Sequence, residues 1–110
     1  MFVFLEIMKE ELERNLNDQE SFKMQMESLP KGYLSICLID GKQYVYRKYR
    51  KGNKIISEYI GVPYDEKVQQ AEKDREQYLD LKRTIRILKI EEKKLRGAIK
   101  EYERIWTRND

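Results

Sequence analysis

The stretch that decides the fold is residues 33–61, YLSICLIDGKQYVYRKYRKGNKIISEYIG. Three short segments rich in β-branched and aromatic residues are separated by two turn sequences, Asp40-Gly41 and Gly52-Asn53. An Asp-Gly pair between such segments is a favoured sequence for a two-residue type I′ hairpin turn. The pattern therefore predicts a three-stranded antiparallel β-meander over residues 33–61, which starts after the helix-ending sequence LPKG.

The two turns also predict which strand residues face each other. Counting outward from the turns pairs Ile39–Lys42 and Leu34–Arg47 in the first hairpin, and Lys51–Lys54, Arg47–Glu58 and Val45–Ile60 in the second. Because side chains alternate along a strand, the sheet has two different faces. We expect one to be the core face, with an Arg47–Glu58 ion pair and the apolar residues Leu34, Ile36, Leu38, Val45, Tyr49, Ile56 and Ile60.

The opposite face of the predicted sheet combines tyrosines with positive charge. Flat aromatic rings stack on unpaired bases, and Lys and Arg neutralise phosphates. The predicted binding residues are Tyr33, Tyr44, Tyr46, Lys48, Arg50 and Tyr59 on the strands, with Lys51 and Lys54 at the second turn. Tyrosine and arginine also dominate protein interfaces, and paired tyrosines stabilise a sheet by themselves. Nucleic acid, a protein partner and a purely structural role are thus three alternatives.

The residues before the sheet predict a helix over residues 4–28. Apolar residues recur there at alternating intervals of three and four, which is the heptad spacing of helices that pack side by side. Asn15 and Gln19 occupy the same stripe at its centre, so the predicted contact surface has a polar middle. The sequence Asn17 to Gln19 is also compatible with a break, so one helix and two helices both fit.

A second and longer helix is predicted over residues 65–107. Asp65 is a candidate N-cap, and no proline follows it. A heptad stripe runs along this helix, interrupted by Glu92, and its other members are Tyr78, Leu81, Ile85, Leu88, Leu95, Ile99, Tyr102 and Trp106. Because the first helix is shorter, part of this stripe would lack a partner, and we expect a homo-oligomer that uses these eight residues. The alternative is that the stripe folds back on the apolar face of the sheet.

The predicted helices and strands place the chain in the α+β class, and its 110 residues predict a single domain over residues 1–110. Apolar residues make up 40% and charged residues 39%, which suits long, partly exposed helices better than a thick core. The net charge of +3 hides an uneven distribution, because residues 1–29 carry a net charge of −4 and residues 30–64 a net charge of +5. Residues 81–100 contain eight bases and two acids, a pattern typical of a solvated coiled-coil flank.

The residue inventory argues against catalysis and against a metal or cofactor. Histidine is absent, Cys37 is the single cysteine, and there is no glycine-rich phosphate loop. A lone cysteine forms no intramolecular disulfide, which fits a reducing cytoplasm. The opening MFVFLEI lacks a basic region and is too short to cross a membrane, so neither secretion nor membrane insertion is expected. Met1 and Met8 both fit as the start of the protein.

The sheet sequence resembles a module of small bacterial proteins. The shared pattern is LPKG at the start, Gly41-Lys42 at the first hairpin, Tyr44-x-Tyr46, Arg50-x-Gly52 and a closing Tyr59-Ile60, followed by a coiled helix. This resemblance implies an α+β accessory protein with no known activity. In its three strands and basic hairpins the chain is also similar to the arm-DNA-binding domain of tyrosine recombinases.

These observations together predict a non-enzymatic binding protein of phage or mobile-element origin. We expect it to dock on nucleic acid or on a nucleoprotein complex through the basic, tyrosine-rich face. The alternative is a protein-directed role, as an inhibitor of a host defence nuclease that resembles anti-CRISPR proteins, or as an antitoxin or adaptor. The positive charge argues against mimicry of DNA, which requires an acidic surface.

Overall fold

A computed structural model gives the fold and describes residues 2–108, with side chains over residues 3–106. The described residues form five elements in chain order: helix α1 (Phe2–Ser28), strands β1 (Tyr33–Ile39), β2 (Lys42–Lys51) and β3 (Lys54–Gly61), and helix α2 (Glu66–Arg108). The predicted α+β fold is confirmed. Met1, the first of the two candidate start residues, lies outside the described residues, as do the last two residues of the predicted domain.

Helix α1 begins two residues earlier than predicted, and α2 has the predicted length but is shifted by one residue towards the C-terminus. Helix α1 begins at Phe2 and continues through Asn17 to Gln19, so the single-helix alternative is the correct one. Helix α2 begins at Glu66, directly after the predicted N-cap. Asp65 does cap this helix, because the backbone N–H of Lys67 donates to Asp65 Oδ1 at 3.1 Å.

The three strands form one antiparallel sheet in the order β1-β2-β3. Asp40 and Gly41 both have positive φ angles, of 51° and 78°, as a type I′ turn requires. The predicted register is confirmed throughout the first hairpin and from Lys51–Lys54 to Arg47–Glu58 in the second. The exception is Val45, which pairs with Gly61 instead of Ile60 because a β-bulge shifts the register between Val45 and Tyr46.

The backbone contacts divide the chain into two compact units. The helical unit contains α1 up to residue 26 and α2 from residue 81, and the sheet unit contains residues 27–80. Helix α2 therefore contributes residues to both units. The expected organisation as a single domain remains a prediction.

The core of the sheet unit lies on the face that carries Val45. Val45 is 3% exposed and Val68, in the first turns of α2, is fully buried. Gly61 is also buried, and a Cβ atom at this position would lie 2.8 Å from Asp65 Oδ2. The bulge thus places a residue without a side chain beside the N-terminus of α2.

The predicted core face is covered over only part of its area. Ile36 and Leu38, which were expected to be core, are 61% and 69% exposed. The first turns of α2 reach the middle of the sheet, where Ala71 and Asp74 line small clefts together with Arg47, and they leave the β1–β2 hairpin tip uncovered. Arg47 and Glu58 are cross-strand neighbours, but the described side chains form no ion pair between these two residues.

In the helical unit, α1 and α2 run antiparallel. Lys9 Nζ of α1 pairs with Glu103 Oε1 of α2 at 3.0 Å towards one end of the helix pair. Towards the other end, Met26 of α1 and Lys82 of α2 line one groove between the helices. The heptad positions of both helices are buried or half-buried here, as expected for stripes that face each other. Within the described residues, neither helix is long and apolar enough to cross a membrane.

Candidate nucleic-acid interface

Three tyrosines form a cluster on the face of the sheet opposite Val45. The rings of Tyr46 and Tyr59, which are direct cross-strand partners, meet edge to face with centroids 5.4 Å apart. The Tyr44 ring lies 6.2 Å from that of Tyr59, tilted by 55°. Both separations are in the range of favourable aromatic pairs. Together with Ile39, the rings line a shallow, open groove of about 310 Å³.

The cluster follows directly from the strand alternation and the register. Tyr44 and Tyr46 are two residues apart on β2 and therefore point to the same side, and pairing places Tyr59 beside Tyr46. Tyr59 is 53% exposed, and Tyr44 and Tyr46 are half-buried. In the sheet unit, the first turns of α2 cover the opposite face. The tyrosine face is therefore left accessible by its own unit.

Two basic residues continue the same face along β2. Lys48 and Arg50 follow Tyr46 at two-residue intervals, so they lie on the tyrosine side of the sheet. Lys48 is half-buried and Arg50 is exposed. The face has no acidic residue on its strands. Cations and open aromatic rings are therefore next to each other on one surface.

The remaining predicted site residues lie at the margins of this surface. Tyr33 is 52% exposed and pairs with Lys48. It lies on β1, whereas Tyr59 lies on β3, so β2 separates the two tyrosines. Lys51 and Lys54 pair with each other at the β2–β3 turn, where alternation assigns them to the face of Val45. They are not part of the tyrosine cluster.

This face also carries three residues, Ile39, Lys42 and Ile55, that are absent from the sequence-based set of binding residues. Ile39, 50% exposed, lines the groove with the tyrosines, and its partner Lys42 extends from the same side. Alternation with Tyr44 and Tyr46 would have indicated Lys42. Ile55, which is 64% exposed and pairs with Arg50, adds an apolar residue at the basic end of the face.

The heptad stripe of α2, which was predicted as an oligomer interface, makes hydrogen bonds to α1 of the same chain at Leu88 and Glu92. Asn15, 3% exposed, donates from Nδ2 to the carbonyl oxygen of Leu88 at 2.9 Å. Gln19 Nε2 donates both to Asn15 Oδ1 at 2.6 Å and to Glu92 Oε1 at 2.9 Å. Of the eight residues predicted as an oligomer interface, Leu81 is buried. The other seven are half-buried: Tyr78, Ile85, Leu88, Leu95, Ile99, Tyr102 and Trp106. Use of this stripe between copies remains a prediction.

The polar centre of the helical unit includes one carboxyl group with a shifted pKa. The hydrogen bond from Gln19, followed by the hydrogen bond and positive charge of Arg96, holds the pKa of Glu92 below its ordinary value. Arg96 Nε donates to Glu92 Oε2 at 2.7 Å. Across the described residues, no group of three or more histidine, cysteine or acidic side chains is arranged to hold a metal ion.

Comparison with known proteins identifies one matching family. Residues 5–70 match the family described as a domain of unknown function (DUF6788). The matched segment contains most of α1, the whole sheet and the first residues of α2. No curated protein and no solved structure matches the chain. Nothing in these comparisons links it to the tyrosine recombinases.

Proposed function

We propose that this chain, which belongs to the DUF6788 family, binds single-stranded nucleic acid through the tyrosine face of its sheet. The observation that carries the proposal is the open groove formed by Tyr44, Tyr46 and Tyr59, with Lys48 and Arg50 on the same face. Stacking on aromatic rings favours unpaired bases, because bases inside a duplex already stack on each other.

The two halves of this face have different roles in the proposed complex. The tyrosine cluster supports stacking of bases, and each base stacked on a ring contributes about 1–3 kcal/mol. Lys48 and Arg50 lie roughly 7–14 Å further along β2 than Tyr46, at about 3.4 Å per residue. The phosphates of a strand that follows β2 would be neutralised there. Such binding tolerates many base sequences, since every base has a flat ring face.

A protein partner is the second candidate, and the exposed isoleucines favour it. Ile39 and Ile55 lie on the same face as the tyrosines and are 50% and 64% exposed. Apolar side chains around tyrosine and arginine are typical of protein hot spots. On this alternative the chain is a protein-directed inhibitor, for example of a nuclease, or an adaptor, and Tyr44→Ala or Tyr46→Ala breaks the protein complex.

Fluorescence anisotropy with labelled single-stranded DNA and RNA distinguishes the two candidates. We expect wild-type binding that weakens as the salt concentration rises from about 50 to about 200 mM. Lys48→Glu combined with Arg50→Glu should weaken binding roughly tenfold or more. Loss of two phosphate contacts should also reduce the slope of log K against log salt by about 1.4.

A matched control makes the same change of charge elsewhere in the chain. Lys94→Glu combined with Lys100→Glu alters two exposed residues of α2 and should leave affinity nearly unchanged. No binding of either oligonucleotide by the wild type at low salt would overturn the nucleic-acid proposal. Equal losses in the two double variants would show that total charge, and not this face, governs binding.

A further inference from the structure

The helical unit contains a groove that the proposed function does not use. It lies between α1 and α2 and has a volume of about 860 Å³. Its apolar lining consists of Leu16, Met26, Ile85 and Ile90. Leu16 is 37% exposed and Ile90 is 53% exposed, so the two helices do not bury this surface between themselves.

The rim of the groove is strongly basic. Its five positive side chains belong to Lys23, Lys82, Arg86, Lys89 and Lys93, and the one acid in the lining is Glu20. An apolar floor with a cationic rim complements a surface that has apolar residues at its centre and acids around them. An amphipathic acidic helix has this combination, and helix-in-groove docking is a common form of recognition.

The first part of α1 presents such a surface. Val3, Phe4 and Ile7 share one side of the helix by their spacing and are 62%, 67% and 49% exposed. Residues 3–13 also contain Glu6, Glu10, Glu11 and Glu13 against the single base Lys9, and Glu11 pairs with the neighbouring Arg14 at 3.1 Å. Lys9 is already paired with Glu103. This surface, called the acidic patch below, is therefore apolar with net negative charge.

The acidic patch of one chain cannot occupy the groove of the same chain. Both belong to the continuous helix α1, because the groove begins at Leu16 and extends to Met26. The centres of the two segments are separated by roughly 20 Å along a helix that rises about 1.5 Å per residue. The two complementary surfaces can only meet when they come from different copies.

We propose that the groove binds the acidic patch of a second copy of this chain. This contact joins two different surfaces, so it is heterologous and produces a ring or an open filament. Ile85 is the one residue of the heptad stripe in the groove lining, and the other lining residues of α2 lie outside the stripe. The contact is independent of nucleic-acid binding, which we assign to the sheet.

Light scattering on two complementary variants tests this contact. Phe4→Gln with Ile7→Gln removes the apolar centre of the acidic patch, and Arg86→Glu with Lys89→Glu reverses part of the groove rim. All four residues are exposed. We expect the wild type to exceed twice the 13.4 kDa chain mass as concentration rises, and each variant to remain at 13.4 kDa.

Mixing the two variants gives the decisive result. The patch variant retains an intact groove and the groove variant retains an intact patch, so an equimolar mixture should form a dimer of twice 13.4 kDa and nothing larger. Circular dichroism should show wild-type helix content in both. If the groove variant loses helix, Lys82→Glu with Lys93→Glu takes its place.

Three outcomes would overturn the proposal. A wild type that stays at 13.4 kDa at all concentrations would show that the groove does not bind a second copy. Variants that associate like the wild type would place the oligomer contact elsewhere, for example on the heptad stripe. A mixture no heavier than its two components would show that the patch and the groove do not bind each other.

Discussion

Gly32 shows how a single residue positions the sheet. Its φ angle is +100°, a conformation that residues with side chains rarely adopt. A Cβ atom here would overlap the carbonyl oxygen of Lys48 and lie 2.8 Å from the Cβ of Tyr49. The chain that leaves α1 therefore passes directly over β2, which is possible only without a side chain.

Substitution of Gly32 by alanine should destabilise the protein. We expect Gly32→Ala to lower the free energy of unfolding by about 2–3 kcal/mol, measured by urea denaturation, because strain and overlap act together. The control is Gly97→Ala, where a Cβ meets no atom within 4 Å in the middle of α2. This second change should raise stability by about 1 kcal/mol. Equal effects of the two substitutions would contradict the crowding of Gly32.

Glu92 should make stability depend on pH. Its pKa is lower in the folded protein than in the unfolded chain, mainly because Gln19 donates a hydrogen bond to the carboxylate. This contribution is therefore fully present above the pKa of the unfolded chain and is lost as the pH falls through the lowered pKa of the folded protein. Thermal melts should show that Glu92→Gln is less stable than the wild type at pH 7, with a difference that shrinks in acid.

Glu91→Gln provides the control for this pH dependence. Glu91 is adjacent and exposed, so the substitution makes the same change of charge without removing the contact with Gln19. Its melting temperature should follow that of the wild type across the pH range. A stability difference for Glu92→Gln that is constant from pH 7 to acid would argue against the lowered pKa.

At the scale of elements, local sequence signals predicted most of the sheet. Asp40-Gly41 and Gly52-Asn53 were sufficient to give the register of the first hairpin and most of the second. The prediction was wrong at Val45, which pairs with Gly61, because alternation alone does not reveal a bulge. The bulge becomes understandable only when Asp65 is placed next to Gly61.

Burial could be predicted less well than pairing. Strand alternation correctly separated Val45 from the tyrosines, but it did not show how much of each face another element would cover. Ile36 and Leu38 have the residue type and spacing of core positions, yet the first turns of α2 do not cover them. For the candidate site, alternation grouped Tyr44 with Tyr46. The groove that they form with Ile39 depends on how the side chains pack across neighbouring strands, which alternation does not give.

The N-cap of α2 should contribute measurably to stability. Asp65 Oδ1 accepts a hydrogen bond from the backbone N–H of Lys67, one of the donors that a helix start leaves without an intrahelical partner. We expect Asp65→Ala to lower the free energy of unfolding by about 1 kcal/mol, and Asp65→Asn to retain most of it. An alanine variant as stable as the wild type would show that the cap is dispensable.

For the whole molecule, α2 is the element shared by the two compact units. Because this helix is continuous, we expect the two units to unfold together, as a single domain would. Far-ultraviolet circular dichroism, which reports mainly on the helices, and near-ultraviolet tyrosine signals should give coincident thermal transitions. Two separate transitions would indicate two independently folding units.

The proposed nucleic-acid interface is most directly tested by nuclear magnetic resonance of the tyrosine rings during titration with a single-stranded oligonucleotide. Stacked bases should shift the ring protons of Tyr44, Tyr46 and Tyr59, since ring currents act over short distances. Tyr102, on α2 in the helical unit, should not shift and is the internal reference. Unchanged resonances of the three clustered tyrosines at saturating oligonucleotide, or shifts confined to α2, would contradict the assignment of the sheet face as the binding surface.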